Sequence, residues 1–446
     1  MNRSSRSIIP LLVALARSFA PTPVRMRCAR PRHALRLLCM PLLCCLAYSA
    51  DAWDLRGHVK PQASIINLPA DSLLQDFSDD PSLDTGLDLR ANLADASGNW
   101  SWQIDYQLLA RQGDQLKLSR LLDRPGYSGA GLPDDARRIF DLTHIISESD
   151  DRLVEHRLDR LYLSHTSGST AIKIGRQAIS WGNGLIYNPV DFFNPFDPSA
   201  IDTEYKTGDD MLYAQYLFPS GDDLQAVWVG RRDEAGDISS DVASMAAKYH
   251  VFSGSRELDL LAARHYDESI VAVGGSLDFA EAIWRADLML TDGAEGTVTS
   301  AVVNWSYALL AWQKNMTVVA EYFYNGFGIS DGDYAPSALA ENPDLTARIL
   351  RGELFTLAQN YLAAAATVEL TPLWLLTTSL FNNLDDNSRL LQLSSQHDLQ
   401  QDLQLLLALN LPTGNEGSEF GGIDSGIEGR PLALGTSAFA QLAWYF

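Results

Sequence analysis

The sequence predicts an all-β chain, a transmembrane antiparallel β-barrel of about eighteen strands, with sixteen as the alternative and with long external loops. Three observations carry this. The C-terminal run alternates apolar and polar residues and stops on an aromatic. The connections between candidate strands fall in turn into short and long. The N-terminal stretch has the parts of an export leader.

At the C-terminus, Ala438, Ala440, Leu442, Trp444 and Phe446 occupy every second position and so share one face of a strand. An outer-membrane barrel closes its ring with such a strand, placing aromatics in the membrane interface. Trp444 and Phe446 resemble the terminal signal that the barrel-assembly machinery reads.

The first fifty residues carry Arg3, Arg6, Arg17, Arg25, Arg27, Arg30, Arg32 and Arg36 and no acidic residue. An apolar run from Leu37 to Leu46 and an Ala50-Asp51-Ala52 site complete the pattern of a secretory signal peptide over residues 1–52. Cleavage after Ala52 is expected, with Ser49 as the second choice. The basic region is too long for an ordinary leader, and Met26 would begin one of usual length. A lipid anchor at Cys44 or Cys45 is disfavoured by the bulky residues before them. Cys28, Cys39, Cys44 and Cys45 all lie in the leader, so residues 53–446, read as a single barrel domain, have no thiol for a disulfide, a nucleophile or a metal. The chain carries a formal charge of -22, and loss of the leader makes it more acidic still, which excludes nucleic acid as a partner.

Candidate strands then recur to the end of the chain. Trp100, Trp102, Ile104, Tyr106 and Leu108 share one face, as do Leu212, Ala214, Tyr216 and Phe218; Trp284, Ala286, Leu288 and Leu290; and Val318, Ala320, Tyr322 and Tyr324. Leu403 to Leu411 is apolar at every odd position. Residues 361–381 are apolar enough for a membrane helix, but Glu369 and Thr371-Pro372 interrupt them, so two strands and a turn fit better. Counting back from Phe446, short turns are expected at 394–398, 371–373, 308–315, 278–281, 252–255, 219–223, 166–169 and 95–99. The long connections fall at 412–434, 326–353, 182–210, 112–152 and 67–86, although 267–269 is short. A soluble sandwich has no reason to sort its loops this way, whereas an outer-membrane barrel does. Trp305, Tyr307, Trp312, Trp374 and Tyr445 lie near strand ends, where amphipathic rings favour the membrane interface.

The densest motif runs Lys173-Ile174-Gly175-Arg176-Gln177, then Trp181-Gly182, then Asn188-Pro189-Val190-Asp191-Phe192-Phe193-Asn194-Pro195-Phe196-Asp197-Pro198. Here the chain resembles a group of poorly characterised proteobacterial outer-membrane porin-like proteins with a Gly-Arg-Gln…Trp-Gly…Asn-Pro-x-Asp pattern, most strongly over 170–230. The resemblance implies a barrel with a large external loop and no settled substrate. The prolines forbid regular structure, and Phe192, Phe193 and Phe196 are too apolar for a solvated tip. Loop 182–210 is therefore expected to fold into the mouth as a constriction, against the alternative of a self-packed surface loop. Strand parity would put Arg176 on the lipid face; a bulge at Gly175 would turn it inward toward Asp191, Asp197, Asp202 or Glu204. Lys173, Arg176 and Gln177 are then candidate lining residues. The acidic loops concentrate cations at the mouth, or hold divalent ions against lipopolysaccharide, or merely stay solvated.

Enzyme chemistry finds little support. His58, His144, His156, His165, His250, His265 and His397 show no metal-ligand spacing, and no nucleophile elbow, phosphate cradle or redox-cofactor motif stands out. A site assembled from distant strands stays open. The function expected is passive, cation-preferring diffusion of small solutes across the outer membrane of a Gram-negative bacterium, with no cofactor or metal. The alternatives are an export duct joined to an inner-membrane exporter, for hydrophobic or polysaccharide cargo, and a non-conducting surface scaffold that binds glycan or lipopolysaccharide.

Overall fold

The computed structural model describes residues 54–121, 127–128, 132–133, 135–293 and 296–446. The leader, its cleavage site, Met26 and the four cysteines lie outside these residues. The strands are β1 (Asp54–Ile66), β2 (Ser82–Ser97), β3 (Trp100–Gly113), β4 (Tyr127–Ser128), β5 (Leu132–Pro133), β6 (Thr143–Glu148), β7 (Arg152–Ser167), β8 (Thr170–Gln177), β9 (Asp209–Leu217), β10 (Asp223–Val229) and β11 (Ser244–Ser253). They continue with β12 (Arg256–His265), β13 (Glu268–Phe279), β14 (Ala282–Gly293), β15 (Gly296–Ala311), β16 (Lys314–Tyr324), β17 (Asn360–Thr371), β18 (Trp374–Asn383), β19 (Arg389–Gln400), β20 (Leu403–Thr413) and β21 (Ser437–Tyr445). Three short helices, α1 (Asp114–Leu121), α2 (Pro336–Ala340) and α3 (Pro343–Arg351), sit in the long connections.

Eighteen of the strands form one antiparallel ring: β1 to β3, then β7 to β21 in order. Pairing of β1 with β21, from His58 opposite Tyr445 to Ile66 opposite Ser437, closes it. The sixteen-strand alternative is thereby excluded. Closure leaves no open sheet edge, so each spanning strand finds its hydrogen-bond partners in its neighbours.

The alternation works as an inverted soluble protein. Outward positions such as Leu212, Leu260, Leu288, Leu407 and Leu442 are exposed, whereas Arg90, Asp105, Glu155, Asp159 and Glu321 are buried on the inward face. Such a distribution is costly in water and favourable in a bilayer. Trp444 and Phe446 are exposed on the outer face, with ring centroids 5.4 Å apart. The Phe446 ring covers Gly57 so closely that a Cβ there would lie 2.6 Å from it.

Turns on one rim are short and connections on the other include all the long ones, with one boundary misread. The expected turn at 394–398 is strand: β19 continues to Gln400 and the turn lies at 401–402. The polar run Ser394 to Asp398 looks like a turn because both of its faces are polar. Trp374 resolves this by donating to Ser395 Oγ at 2.8 Å and stacking on His397, which shields the outward pair from lipid. Tyr445, expected in the interface, instead points inward and donates to Glu204 at 3.0 Å.

The lipid face makes a direct prediction. Leu288→Arg, in mid-strand on the outer face, should destabilise the barrel by about 2–4 kcal/mol. Ser379→Arg, on an inward half-exposed position, should cost far less. Urea unfolding in lipid vesicles checks both.

Candidate pore constriction

β8 and β9 are much shorter than β7, and the chain between them, residues 178–208, leaves the wall and enters the barrel. Trp181-Gly182 begins the excursion. Gly182 has φ +93°, and a Cβ on it would lie 2.1 Å from Asn188 Oδ1. Asn188 in turn donates to Trp181 O at 2.9 Å. The Trp-Gly and Asn-Pro halves of the motif are thus two sides of one tight turn, and only glycine leaves room for the asparagine.

The loop then touches the wall around much of the ring. Asn183 donates through its backbone N–H to Asp287 of β14 at 2.6 Å and through Nδ2 to the same carboxylate at 2.7 Å. Glu321 of β16 accepts from the N–H groups of Leu185 at 2.7 Å, Ile186 at 3.1 Å and Tyr187. Further on, Ser199 O accepts from Gln392 of β19 at 2.9 Å. Asp202 and Glu204 accept from Lys60 of β1 at 2.7 and 2.6 Å, and Gln441 of β21 adds a bond to Asp202 at 3.0 Å. The Arg90 guanidinium of β2 lies 4.0 Å from the Tyr205 ring centroid, a cation–π contact. Inside the loop, Lys206 pairs with Asp191 and donates to Ile179 O at 2.6 Å. Burial pushes the Asp191 carboxyl up and the Lys206 ammonium down, opposed in each case by the partner's charge. For Asp202, burial works upward, but the hydrogen bond and charge of Lys60 outweigh it and the carboxyl is lowered.

Phe192 and Phe193 are buried, packed with Trp181, Val190, Met211, Val229 and Leu345 into an apolar cluster between loop, wall and α3. Phe196 is 37 % exposed and lines a recess with Tyr187, Phe323 and Phe327. Asp197 turns back on its own loop, accepting from Ser199 N and Oγ, both at 2.8 Å.

Two of the expected lining residues are placed differently. Arg176 is 2 % exposed and bonds Asp210 at 2.9 and 3.1 Å, Asp135 at 2.8 Å and Phe140 O at 2.7 Å. Asp210 also accepts from Phe140 N at 2.8 Å. This clamp fixes segment 135–142, which bridges to Arg231 and Arg232 and, with β6 on β7, continues the wall above the short β8 and β9. Gly175 has φ +124°, but its pairing with β7 and β9 runs on without an extra residue. The extra residue lies in β7 at Asp159, where the register to β3 shifts. Gln177 is buried and bonds Met211 O at 3.4 Å. Lys173 alone of the three faces inward half-exposed, 5.6 and 5.9 Å from the ring centroids of Tyr162 and Tyr213.

The chain is similar to OccAB2 of Acinetobacter baumannii (11 % identity, 88 % of this chain and 98 % of that one, TM-score 0.46). It is also similar to OpdQ of Pseudomonas aeruginosa (9 %, 89 % and 98 %, 0.49) and a BenF-like porin from Pseudomonas fluorescens Pf-5 (11 %, 89 % and 99 %, 0.48). No family model and no curated protein matches. None of these likenesses says what this chain carries.

The sequence did not single out Lys60, Asp287, Glu321 or Lys206. Alternation does place Glu321 opposite the apolar face of β16, and that was the available signal. The structure also joins Ser244, His265 and Glu353, with Ser244 Oγ 2.7 Å from His265 Nδ1 and His265 Nε2 2.8 Å from Glu353. This resembles a hydrolytic relay only in outline. The serine is 1 % exposed and held by Arg231, so no substrate carbonyl can reach it.

The opposite sector is open. Ala365, Thr367, Thr377, Ser379, Ser394 and Gln396 point inward from β17 to β19 and are half-exposed, so water reaches the inner wall there.

Arg176→Gln should leave Asp210 buried without its cation and Asp135 with Arg138 alone, and cost about 3–5 kcal/mol in unfolding experiments. As a brace rather than a lining group, it should leave ion selectivity unchanged. On the external rim, Glu419 accepts from Tyr361 at 2.6 Å, Leu357 N at 2.9 Å and Asn383 at 2.9 Å, and burial pushes its carboxyl up to about 7. The folded chain therefore favours the protonated acid, and the hold on loop 414–436 weakens as pH rises from the ordinary carboxylate range through about 7. Hydrogen exchange at 357–361, corrected for intrinsic rates, should be slower at acidic than at alkaline pH, and Glu419→Gln should remove the difference.

Proposed function

We propose that this chain is a porin-like channel of a Gram-negative outer membrane, through which small solutes diffuse passively with a preference for cations. Loop 178–208 is its constriction. The outward apolar face supports a place among outer-membrane lipid and lipopolysaccharide, inserted by the barrel-assembly machinery. The half-exposed inner sector supports an aqueous path.

Cation preference rests on one observation, the unequal exposure of ion-pair partners at the inner end of the loop. Lys60 is 3 % exposed, while its partners Asp202 and Glu204 are 30 % and 35 % exposed. His58 is fully covered, while neighbouring Asp88 is 24 % exposed. A passing ion meets carboxylate oxygens and not the buried cations behind them, and such a surface attracts positive charge.

The apolar cluster between loop and wall favours one rival, a barrel closed at its external half that serves as a surface scaffold. Planar-bilayer recording on the refolded chain from Trp53 separates the two. The channel reading expects steady openings, a cation-selective reversal potential in a KCl gradient, larger conductance on deletion of 188–198, and loss of selectivity in the Asp202→Asn, Glu204→Gln double variant. Silence from folded wild type and deletion variant alike would overturn it in favour of the scaffold.

A further inference from the structure

Three successive backbone N–H groups, those of Leu185, Ile186 and Tyr187, converge on one point inside the barrel, and the Glu321 carboxylate occupies it. Successive N–H groups that point to one side form a concavity that binds anions. Here the anion belongs to the wall. Glu321 is 1 % exposed, and among the described residues no arginine, lysine or histidine pairs with it. Its neighbours across the sheet are Asn304 and Ala363. Asn304 does not supply a cation but donates to Asn183 O at 2.9 Å, on the same stretch of loop. The balance of the buried charge therefore comes mainly from the loop's own amides, with the Asn304 side chain beside them.

We propose that Glu321 is the positioning residue of the constriction, a tethered anion seated in a backbone nest, and that the nest left by its removal accepts a small free carboxylate. The proposal rests on the channel reading only for its electrical readout. Gly184, where a Cβ would lie 1.9 Å from Tyr187 O, gives the backbone the sharp turn that aims these amides together. Asp287 holds Asn183 just before the nest, so loss of Glu321 frees the loop downstream of an anchor that remains.

The test is chemical rescue. Glu321→Ala, compared with wild type in KCl, should show at least a twofold larger and noisier single-channel conductance. Sodium formate, and acetate less well, should return it toward the wild-type level, while equal added chloride should not. Glu321→Gln keeps the size but puts an amide donor against the amides, and should give an intermediate conductance that formate does not correct. Hydrogen exchange at 185–187 gives a readout independent of conduction: fast in Glu321→Ala, slowed by formate, slow throughout in wild type. Heat-modifiable mobility on gels shows that each variant is folded, and Glu321→Asp serves if the alanine variant is not. Conductance of folded Glu321→Ala equal to wild type, or exchange at 185–187 that formate leaves unchanged, would overturn the proposal. Silent wild-type channels with formate-sensitive exchange would overturn the channel reading and uphold the nest.

Discussion

A loop inside a barrel needs partners for its backbone, and the rest of this structure depends on how that need is met. The strands satisfy one another around the ring, but residues 178–208 leave the ring and carry unpaired N–H and C=O groups into a partly dry interior. Side chains of the wall supply what the sheet no longer can. Asp287 and Glu321 take the N–H groups of residues 183–187, and Asn304 and Gln392 give hydrogen bonds to the carbonyls of Asn183 and Ser199. The polarity of the inner wall is thus as much a requirement of the loop's backbone as a feature of any solute path.

The departure of that loop creates a second need. Where β8 and β9 stop, the wall would be open, and segment 135–142 with β6 fills the gap. Arg176 joins the two solutions. Its guanidinium holds Asp210 at the start of β9 and the carbonyl of Phe140 in the patch, so the strand ends and the segment above them are fixed together. A planar, multiply donating cation suits this junction, since it can serve two carboxylates and a carbonyl at once. Breaking such a buried arrangement is far costlier than its net contribution to stability.

The barrel was legible in the sequence because a period of two survives whatever the strands enclose. Trp100 to Leu108, Leu212 to Tyr216 and the closing strand declare their faces locally. The run 394–398 failed because both of its faces are polar, and its outer face is acceptable only through Trp374, a residue on the neighbouring strand. The site was legible in outline, since prolines and phenylalanines in one acidic loop cannot form a solvated tip. Its fastenings were not. Leu185 and Glu321 are 136 residues apart, and Lys60 and Asp202 are 142 apart. Nothing local to Lys60 or Glu321 marks either as a loop anchor, because each is simply a polar residue at an inward position. Arg176 misled for the opposite reason, as its local motif was conspicuous and its partners were brought in by a different connection.

The same fastenings divide the interior unevenly. From β1 to β8 the inward positions carry large charged side chains such as Arg90, Asp105, Glu155 and Asp159, buried against one another and the returning loop. From β17 to β19 the inward residues Ala365, Thr367, Thr377, Ser379, Ser394 and Gln396 are small or uncharged, and they stay half-exposed. Charged side chains that are fully paired and dry offer a solute little, whereas the carboxylates of Asp88, Asp202 and Glu204 remain partly wet at the border between the two sectors. In the proposed channel a cation passing these residues would meet exposed carboxylates there, on the loop's returning limb. In the proposed channel the loop would both narrow the passage and supply the charge at its edge, so the anchors at Lys60 and Glu321 would govern width and selectivity together.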